Sequence, residues 1–334
     1  MKTFLKYPGG KTKEIPLVCR YMPKQIDRYF EPFVGGGSVY LTLGIQNSFI
    51  NDFSTDLINV YKYIKEGNEV FKRYLMDFDE IWHSLELPEF HSVFLTKYSY
   101  LNQNVYSENY KSAIKRKRKT IQSLKNNGNV ISRTNYSEIM TTARKTAFYM
   151  LVRDLYNHTN DANELRTACY YYLREYCYSS MFRFSKNGNF NVPYGGMSYN
   201  SKFITQKIEY MFSQEIQQYF ENTQICNLDF EKFLGHYKLK RTDFIFLDPP
   251  YDSDFSTYDK HPFDKEEQIR LRNFLVKTNA KWMLIIKKTD FIHDLYKSFH
   301  IYEYDMNYVV SFKNRNKKNV EHLLITNYAI KEAD

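Results

Sequence analysis

Three consecutive glycines, Gly35 to Gly37, stand out in a chain that has only 12 glycines among 334 residues. Residues 27–30 before them predict a short strand, and Ser38 after them is placed to cap a helix that continues through Val39. A strand, a glycine loop and a helix in this order bring backbone close to a ligand at the carboxyl edge of a parallel sheet. The chain is therefore predicted to begin with a βα unit.

The same alternation of strand and helix occurs again on either side of a long interruption. Residues 48–50 predict a buried strand that ends at Asn51-Asp52, and a helix follows from Asp56. The later strands are predicted at 224–226, 243–247, 282–286 and 321–326, with helices at 230–234, 264–276 and 291–299 between them. The segment 301–311 is the candidate antiparallel partner of the last strand. This pattern predicts an α/β fold with a mainly parallel sheet.

Residues 67–224 have a different character, because they are polar, rich in aromatic side chains and helical in pattern. A helix is predicted at 141–155, and a loop rich in Asn, Gly and Phe at 183–196. We therefore predict one α/β domain formed by residues 1–66 and 225–334, with a mainly helical domain of residues 67–224 inserted into it.

The net charge of +9 is concentrated in two segments. Residues 108–125 contain seven basic residues and one acidic residue, and residues 313–318 contain four basic residues. Such clusters are typical of proteins that contact a polyanion such as nucleic acid, although a solvated helix face and a basic loop would have the same composition. The candidates for DNA contact are Lys115, Arg116, Lys117, Lys317 and Lys318.

Other sequence features argue against several protein classes. The four cysteines form no C-x-x-C pair, which favours reduced thiols and argues against a structural metal site. The sequence contains neither a long apolar run nor a secretory signal, so we expect a cytoplasmic protein without a membrane span.

Asp248-Pro249-Pro250-Tyr251 directly follows the apolar segment 244–247. Prolines fix the backbone and donate no hydrogen bonds, so a carboxylate and carbonyl oxygens beside them form a rigid set of acceptors. Such acceptors suit the exocyclic amine of a nucleobase, and Tyr251 is placed to stack on an extruded base. A Pro-Pro turn with a helix-capping aspartate is the structural alternative.

Asp52 follows the second predicted strand, where a carboxylate can accept hydrogen bonds from ribose hydroxyls. The glycine loop lacks the G-x-x-x-x-G-K-[ST] pattern of nucleotide triphosphatases, so S-adenosylmethionine fits the loop better than ATP does.

Several segments together resemble the motifs of Dam-type (D12 class, alpha group) adenine-N6 DNA methyltransferases. In chain order they are Lys6–Lys11 (KYPGGK), Glu31–Ser38 (EPFVGGGS), Asn51-Asp52, the loop 183–195, Asp248–Tyr251 (DPPY) and the strand 317–324. The resemblance implies a Rossmann-like S-adenosylmethionine-dependent methyltransferase fold with an inserted DNA target-recognition domain. It also implies double-stranded DNA as substrate, a flipped adenine as methyl acceptor, and a cognate restriction endonuclease as a candidate partner.

The resemblance also implies roles for individual residues. Those at the cofactor site are Tyr7, Lys11, Glu31, Phe33, Gly35, Gly37, Asp52 and Asp248. Those at the reacting amine are Asp248, Pro249, Pro250 and Tyr251, and Lys6, Arg183 and Asn187 join the DNA contacts. Lys11 suits the cofactor carboxylate as a point charge, with an exposed surface lysine as the alternative, and Glu31 suits the cofactor amine or a helix cap.

Two positions depart from the family pattern. Family members that read GATC carry Arg where this chain has Asn187, and members tend to carry Asn near the position of Lys287. The sequence therefore does not predict GATC as the target. Cytosine-N4 or RNA-adenine methylation, and a DNA-binding protein with a retired cofactor pocket, remain as alternative functions.

Overall fold

The computed structural model describes residues 1–7, 9–87, 92–128, 132–159, 162–250, 263–307 and 319–330. Within these residues seven strands form one sheet: β1 Arg28–Glu31, β2 Ser48–Asn51, β3 Thr223–Cys226, β4 Asp243–Leu247, β5 Lys281–Lys287, β6 His300–Asn307 and β7 Asn319–Thr326. Pro8, Tyr251 and the basic residues 313–318 lie outside the described residues, so the predictions made for them are not addressed by the structure.

The strand order in the sheet is β3-β2-β1-β4-β5-β7-β6. The first five strands are parallel, whereas β7 runs antiparallel to both β5 and β6. The predicted antiparallel pairing of the last strand with the preceding segment is therefore confirmed. The mixed α/β sheet agrees with the Rossmann-like methyltransferase fold that the sequence predicts.

Twelve helices accompany these strands in the described parts of the chain. They are α1 Ile15–Tyr21, α2 Ser38–Leu43, α3 Thr55–Lys65, α4 Glu69–Ser84, α5 Gln103–Asn126, α6 Arg133–His158, α7 Glu164–Tyr176, α8 Thr205–Met211, α9 Gln214–Glu221, α10 Phe230–Gly235, α11 Lys265–Lys277 and α12 Asp290–Tyr296. The prediction that Ser38 caps α2 is wrong, because Gly37 in a left-handed conformation occupies the N-cap position and makes no side-chain cap. The helix predicted at 141–155 is longer in the structure.

The described chain divides into two compact units. The sheet unit comprises residues 1–3, 9–58 and 218–334, and the helical unit comprises residues 4–8 and 59–217. The assignment of residues 67–224 to DNA target recognition stays a prediction.

The central strands of the sheet unit are covered on both faces, which explains why they are almost entirely apolar. All five residues of β4 are buried, and Trp282, Leu284 and Ile286 of β5 join them in the core. Phe30 of β1 stacks on Phe49 of β2 with ring centroids 4.6 Å apart. The rigid centre of the sheet fixes the positions at which β1, β2 and β4 end.

The helical unit has a core of aromatic side chains. Trp82 of α4 packs against Tyr172 and Tyr176 of α7, and Phe148 of α6 packs edge-on against Tyr172. Much of the tyrosine in the composition is therefore core material. No helix in the described ranges is both long and apolar enough to cross a membrane.

We expect Arg28→Met to destabilise the sheet unit. Arg28 makes two hydrogen bonds, of 2.9 and 2.6 Å, to the buried carboxylate of Asp243, which links β1 to β4. An unpaired buried charge is costly, so the variant should lose about 2 kcal/mol, less than a fully buried pair because Arg28 is partly exposed.

Urea unfolding followed by Trp282 fluorescence, in a Trp82→Phe background, measures this change. Adding Asp243→Asn should restore part of the stability, because no charge is then left unpaired. Equal stability of Arg28→Met and its parent would contradict the assignment.

Candidate active site

Lys11 joins two segments that are far apart in the sequence. Its side chain is almost fully buried, with 2% of its surface exposed, and Nζ lies 2.7 Å from Oδ1 of Asp248. Its backbone N–H donates to Oγ of Ser38 at 3.0 Å, and Nζ also donates to the carbonyl of Gly9 at 3.2 Å. The helix that follows the glycine loop and the carboxylate that follows β4 therefore contact the same residue.

The topology of the sheet explains why these segments meet. β1 pairs in parallel with β2 on one side and with β4 on the other, with Phe30 opposite both Phe49 and Ile245. Parallel neighbours in register end at the same edge, so the residues after the three strands converge there. The glycine loop, Asp52 and Asp248 are the segments that follow β1, β2 and β4.

The glycine loop adopts a backbone conformation that favours glycine. Gly35 and Gly37 have φ angles of 48° and 67°, which lie in the left-handed region. Gly35 donates its N–H to Oδ2 of Asp52 at 3.1 Å, and Oδ1 of Asp52 accepts from the N–H of Ser54 at 2.9 Å. The Asp52 carboxylate is thus held against the loop while remaining partly exposed.

Burial raises the pKa of Asp248 above its ordinary value, and the Lys11 ammonium opposes this effect. The Asp248 side chain nevertheless keeps 22% of its surface exposed, which leaves room for another hydrogen-bond donor. Burial also raises the pKa of Glu14, and Lys11 again opposes the rise. The Lys11 ammonium therefore interacts with the carboxyl groups of both Asp248 and Glu14, which are shielded from solvent.

Glu31 lies at the end of β1, with 2% of its surface exposed. Burial raises the pKa of Glu31 well above its ordinary value; the hydrogen bond from Tyr29 opposes the rise, and the negative charge of Asp248 adds to it. The Tyr29 hydroxyl donates to Oε2 at 2.5 Å. Burial therefore favours the protonated form of this carboxyl group.

The two prolines differ in environment. Pro249 is buried and Pro250 is exposed. The carbonyl of Pro250 accepts a hydrogen bond of 3.1 Å from Nε2 of Gln268, a fully buried residue of α11. Among the described residues no donor engages the carbonyl of Pro249. The turn is thus fixed through Pro250.

The remaining predicted cofactor residues lie in two places. Phe33 is partly buried in an aromatic group of the sheet unit, with its ring centroid 5.6 Å from that of Phe230. Tyr7 belongs to the helical unit, where the guanidinium of Arg174 lies 4.4 Å from its ring centroid. Their proposed contacts with a cofactor stay predictions.

Those residues predicted to contact DNA that the structure describes belong to the helical unit. Lys115 and Arg116 of α5 are exposed, and Lys117 is half-buried. Lys6 is exposed and donates to the Tyr199 hydroxyl at 3.4 Å. Arg183 and Asn187 are exposed on the segment 183–196. The described residues contain no group of three or more His, Cys, Asp or Glu side chains that could hold a metal ion.

Sequence reasoning missed three polar residues of the site: Glu14, Tyr29 and Gln268. The spacing of Lys11 and Glu14 by three residues was an available signal, because such residues face each other on one helical turn. No sequence pattern indicates the contact of Gln268, because this contact depends on how α11 packs against the turn after β4.

Comparisons with known proteins agree with the resemblance seen in the sequence. The profile of the family described as D12 class N6 adenine-specific DNA methyltransferase matches residues 7–310. The chain is 28% identical to the Type II methyltransferase M.CviBI of Paramecium bursaria Chlorella virus NC1A, over 98% of this chain and 100% of the relative.

Two further relatives come from cellular organisms. The Type II methyltransferase M.MjaIII of Methanocaldococcus jannaschii is 30% identical, over 98% of this chain and 99% of the relative. The DNA adenine methylase of Escherichia coli strain K12 is 22% identical, over 97% of this chain and 94% of the relative. The similarity therefore covers both units.

We expect Glu31→Gln to change how stability depends on pH. Because the pKa of Glu31 is raised in the folded chain, the parent loses stability as the pH rises above the ordinary glutamate value of 4.5. Gln cannot ionise and can still accept from Tyr29, so the unfolding free energy of the variant relative to the parent should increase between about pH 4.5 and pH 8.

Urea unfolding at several pH values measures this difference. Glu221→Gln, which alters an exposed side chain of the same unit, is the control and should leave the pH dependence unchanged. A constant difference between Glu31→Gln and its parent over this range would refute the assignment.

Proposed function

The chain belongs to the D12 class of N6 adenine-specific DNA methyltransferases, and we propose that it transfers the methyl group of S-adenosylmethionine to N6 of an adenine extruded from duplex DNA. The observation that carries the proposal is the contact of Lys11 with both Ser38 and Asp248. This contact joins the candidate cofactor loop to the candidate acceptor of the base amine.

The residues present fit S-adenosylmethionine. The left-handed glycines leave the loop without side chains where a ligand would approach, and Asp52 offers a partly exposed carboxylate for ribose hydroxyls. Gly35, Gly37 and Asp52 would hold the nucleoside, and Glu31 or Lys11 would face the charged groups of the methionine. Tyr7 and Phe33 are the aromatic residues proposed to complete the site.

When bound, S-adenosylmethionine supplies an electrophilic methyl group on a sulfonium. The chain's own contribution is to orient the amine. Asp248 and the Pro249 carbonyl would accept hydrogen bonds from its two N–H groups, which would localise the lone pair on the nitrogen for attack on the methyl group. Lys11 keeps Asp248 ionised, so that it can act as an acceptor. Gln268 holds Pro250, and with it the turn that carries both acceptors.

Formation of the new N–C bond would break the bond between sulfur and the methyl group, leave S-adenosylhomocysteine as the product, and leave the amine with one proton too many. The raised pKa of Asp248 suits this carboxylate to accept that proton, either directly or through water. Tyr251 would stack on the extruded adenine, which requires an unstacking free energy of about a few kcal/mol. Phosphate contacts from Lys6, Lys115, Arg116, Lys117, Arg183, Lys317 and Lys318 would offset this cost.

Partners and location follow from the same family. The names of the Type II relatives support a cognate restriction endonuclease as a partner, and the methylation of DNA supports a cytoplasmic protein of a bacterium or of a phage in its host. We expect Asn187 to contribute to sequence recognition together with Arg183.

We expect Asp248→Asn to abolish most methyl incorporation while leaving DNA binding intact. The amide replaces an acceptor by a donor beside the base amine, and losing one such electrostatic contact lowers kcat about 100-fold to 1000-fold. Transfer of a labelled methyl group from S-adenosylmethionine to unmethylated DNA measures the activity, and gel retardation measures binding.

Mass spectrometry of the nucleosides separates the rival functions. N6-methyladenine in DNA supports the proposal, whereas N4-methylcytosine or methylated RNA would replace it with the corresponding alternative. Activity of Asp248→Asn equal to that of the parent would refute the site, and absence of methylation by the parent would favour a retired pocket.

We expect Lys11→Gln to shift the acidic limb of the pH–rate profile to higher pH. Activity requires ionised Asp248 and is lost as the pH falls through its pKa. Lys11 lowers that pKa, so removing the ammonium raises it. Rates at saturating S-adenosylmethionine measure the shift, and Lys13→Gln, on an exposed neighbour, is the control. An acidic limb that stays in place would show that another group controls it.

A further inference from the structure

We propose that Tyr149, Arg153 and Asn157 of α6 are positioning residues that hold the segment 183–196 in a preformed hairpin for DNA. This inference rests on the proposed function, because it assigns the hairpin to the DNA substrate of that reaction. We call these three side chains the α6 clamp.

The α6 clamp binds three consecutive residues of the hairpin through their main chain. The Tyr149 hydroxyl donates to the carbonyl of Val192 at 2.9 Å, and Nη1 of Arg153 donates to the carbonyl of Asn191 at 3.4 Å. Asn157 makes two bonds to Phe190: Nδ2 donates to its carbonyl at 3.1 Å, and Oδ1 accepts from its N–H at 2.8 Å.

The spacing of the clamp residues explains how one helix can hold one strand. Positions 149, 153 and 157 are four residues apart, so they form one row along the face of α6. The paired residues 190, 191 and 192 are consecutive in an extended segment. A slip of the hairpin by one residue would break all four hydrogen bonds at once, so the clamp fixes its register along the helix.

A second contact anchors the hairpin through its side chains. Phe182 and Phe190 stack across the hairpin with ring centroids 4.2 Å apart, and the Tyr156 ring packs edge-on against both. The guanidinium of Arg174 lies 4.3 Å from the Phe182 centroid. The base of the hairpin is therefore part of the core of the helical unit.

The tip is left exposed. Ser185 donates its N–H to the carbonyl of Asn189 at 2.8 Å, and Gly188 has a φ of 77°, which closes a tight turn beside Asn187. Nε of Arg183 donates to Oδ1 of Asn191 at 3.3 Å, so Asn191, whose carbonyl is bound by Arg153, also orients Arg183. The clamp therefore acts on Arg183 and Asn187, neither of which it contacts.

The charges around the clamp favour a polyanion. Burial lowers the pKa of Arg153; the negative charge of Asp154 raises it, and the positive charge of Arg116 in α5 lowers it. Among the described residues, no carboxylate forms an ion pair with Arg116, Arg153 or Arg183. Phosphates of a duplex would give these three guanidinium groups anionic partners, and a preformed hairpin would bind them without the entropy cost of ordering the loop.

Tyr149→Phe and Asn157→Leu test the clamp, because each removes hydrogen bonds to the hairpin and keeps a side chain of similar size. The substrate is a duplex that carries the site mapped in DNA methylated by the parent. We expect KM for DNA to rise about tenfold and kcat at saturating DNA to stay within about twofold. Methylation of sites that differ by one base pair should increase relative to the cognate site.

Tyr98→Phe is the matched control. Its hydroxyl donates to Oε2 of Glu80 at 2.9 Å in the same unit, so the hydrogen bond that the substitution removes lies outside the hairpin, and the residue is also buried, with 4% of its surface exposed against 0% for Tyr149. Thermal unfolding shows how far each substitution destabilises the chain. Tyr98→Phe should keep the KM and the discrimination of the parent even where its melting temperature falls.

Separate measurements test the methyl transfer and the α6 clamp. Lack of DNA methylation by the parent would refute the proposed function, while the clamp is still tested by the dissociation constant for duplex DNA, which Tyr149→Phe should raise. Unchanged DNA affinity and discrimination in both clamp variants would overturn the clamp. So would an equal loss of both in Tyr98→Phe, because the effect would then be one of stability alone.

Discussion

A buried ammonium requires a carboxylate nearby, and the pairing of Lys11 with Asp248 meets this requirement at the edge of the sheet. The pair ties the N-terminal segment to the end of β4, while the backbone of Lys11 is tied to Ser38. Glu14 and Glu31 surround the same region with further carboxyl groups. The Lys11 ammonium thus offsets the negative charge of two of these carboxyl groups, those of Asp248 and Glu14.

Local sequence signals predicted the parts of the fold that depend on local conformation. The glycines at 35 and 37 have the left-handed φ angles that only glycine adopts readily, and the apolar run before Asp248 is a fully buried strand. The partner of Lys11 could not be predicted in this way, because it is chosen by the sheet topology. The contacts of Gln268 and of the α6 clamp could not be predicted for the same reason, because their side chains bind main-chain groups that only tertiary packing brings near.

The two units contain different kinds of polar groups. The sheet unit offers carboxylates and carbonyl oxygens, which suit a sugar, an amine and a base amino group. The helical unit offers arginines and lysines on an aromatic core, which suit phosphates.

The interrupted path of the chain also constrains how the protein is made. β1 lies between β2 and β4 in the sheet, yet β4 is synthesised only after the whole helical unit. On the ribosome, residues 59–217 can collapse as a continuous stretch while β1 still lacks its neighbour β4 and β2 still lacks its neighbour β3. The contact between Lys11 and Asp248 therefore forms only after the whole stretch 59–217 has been synthesised.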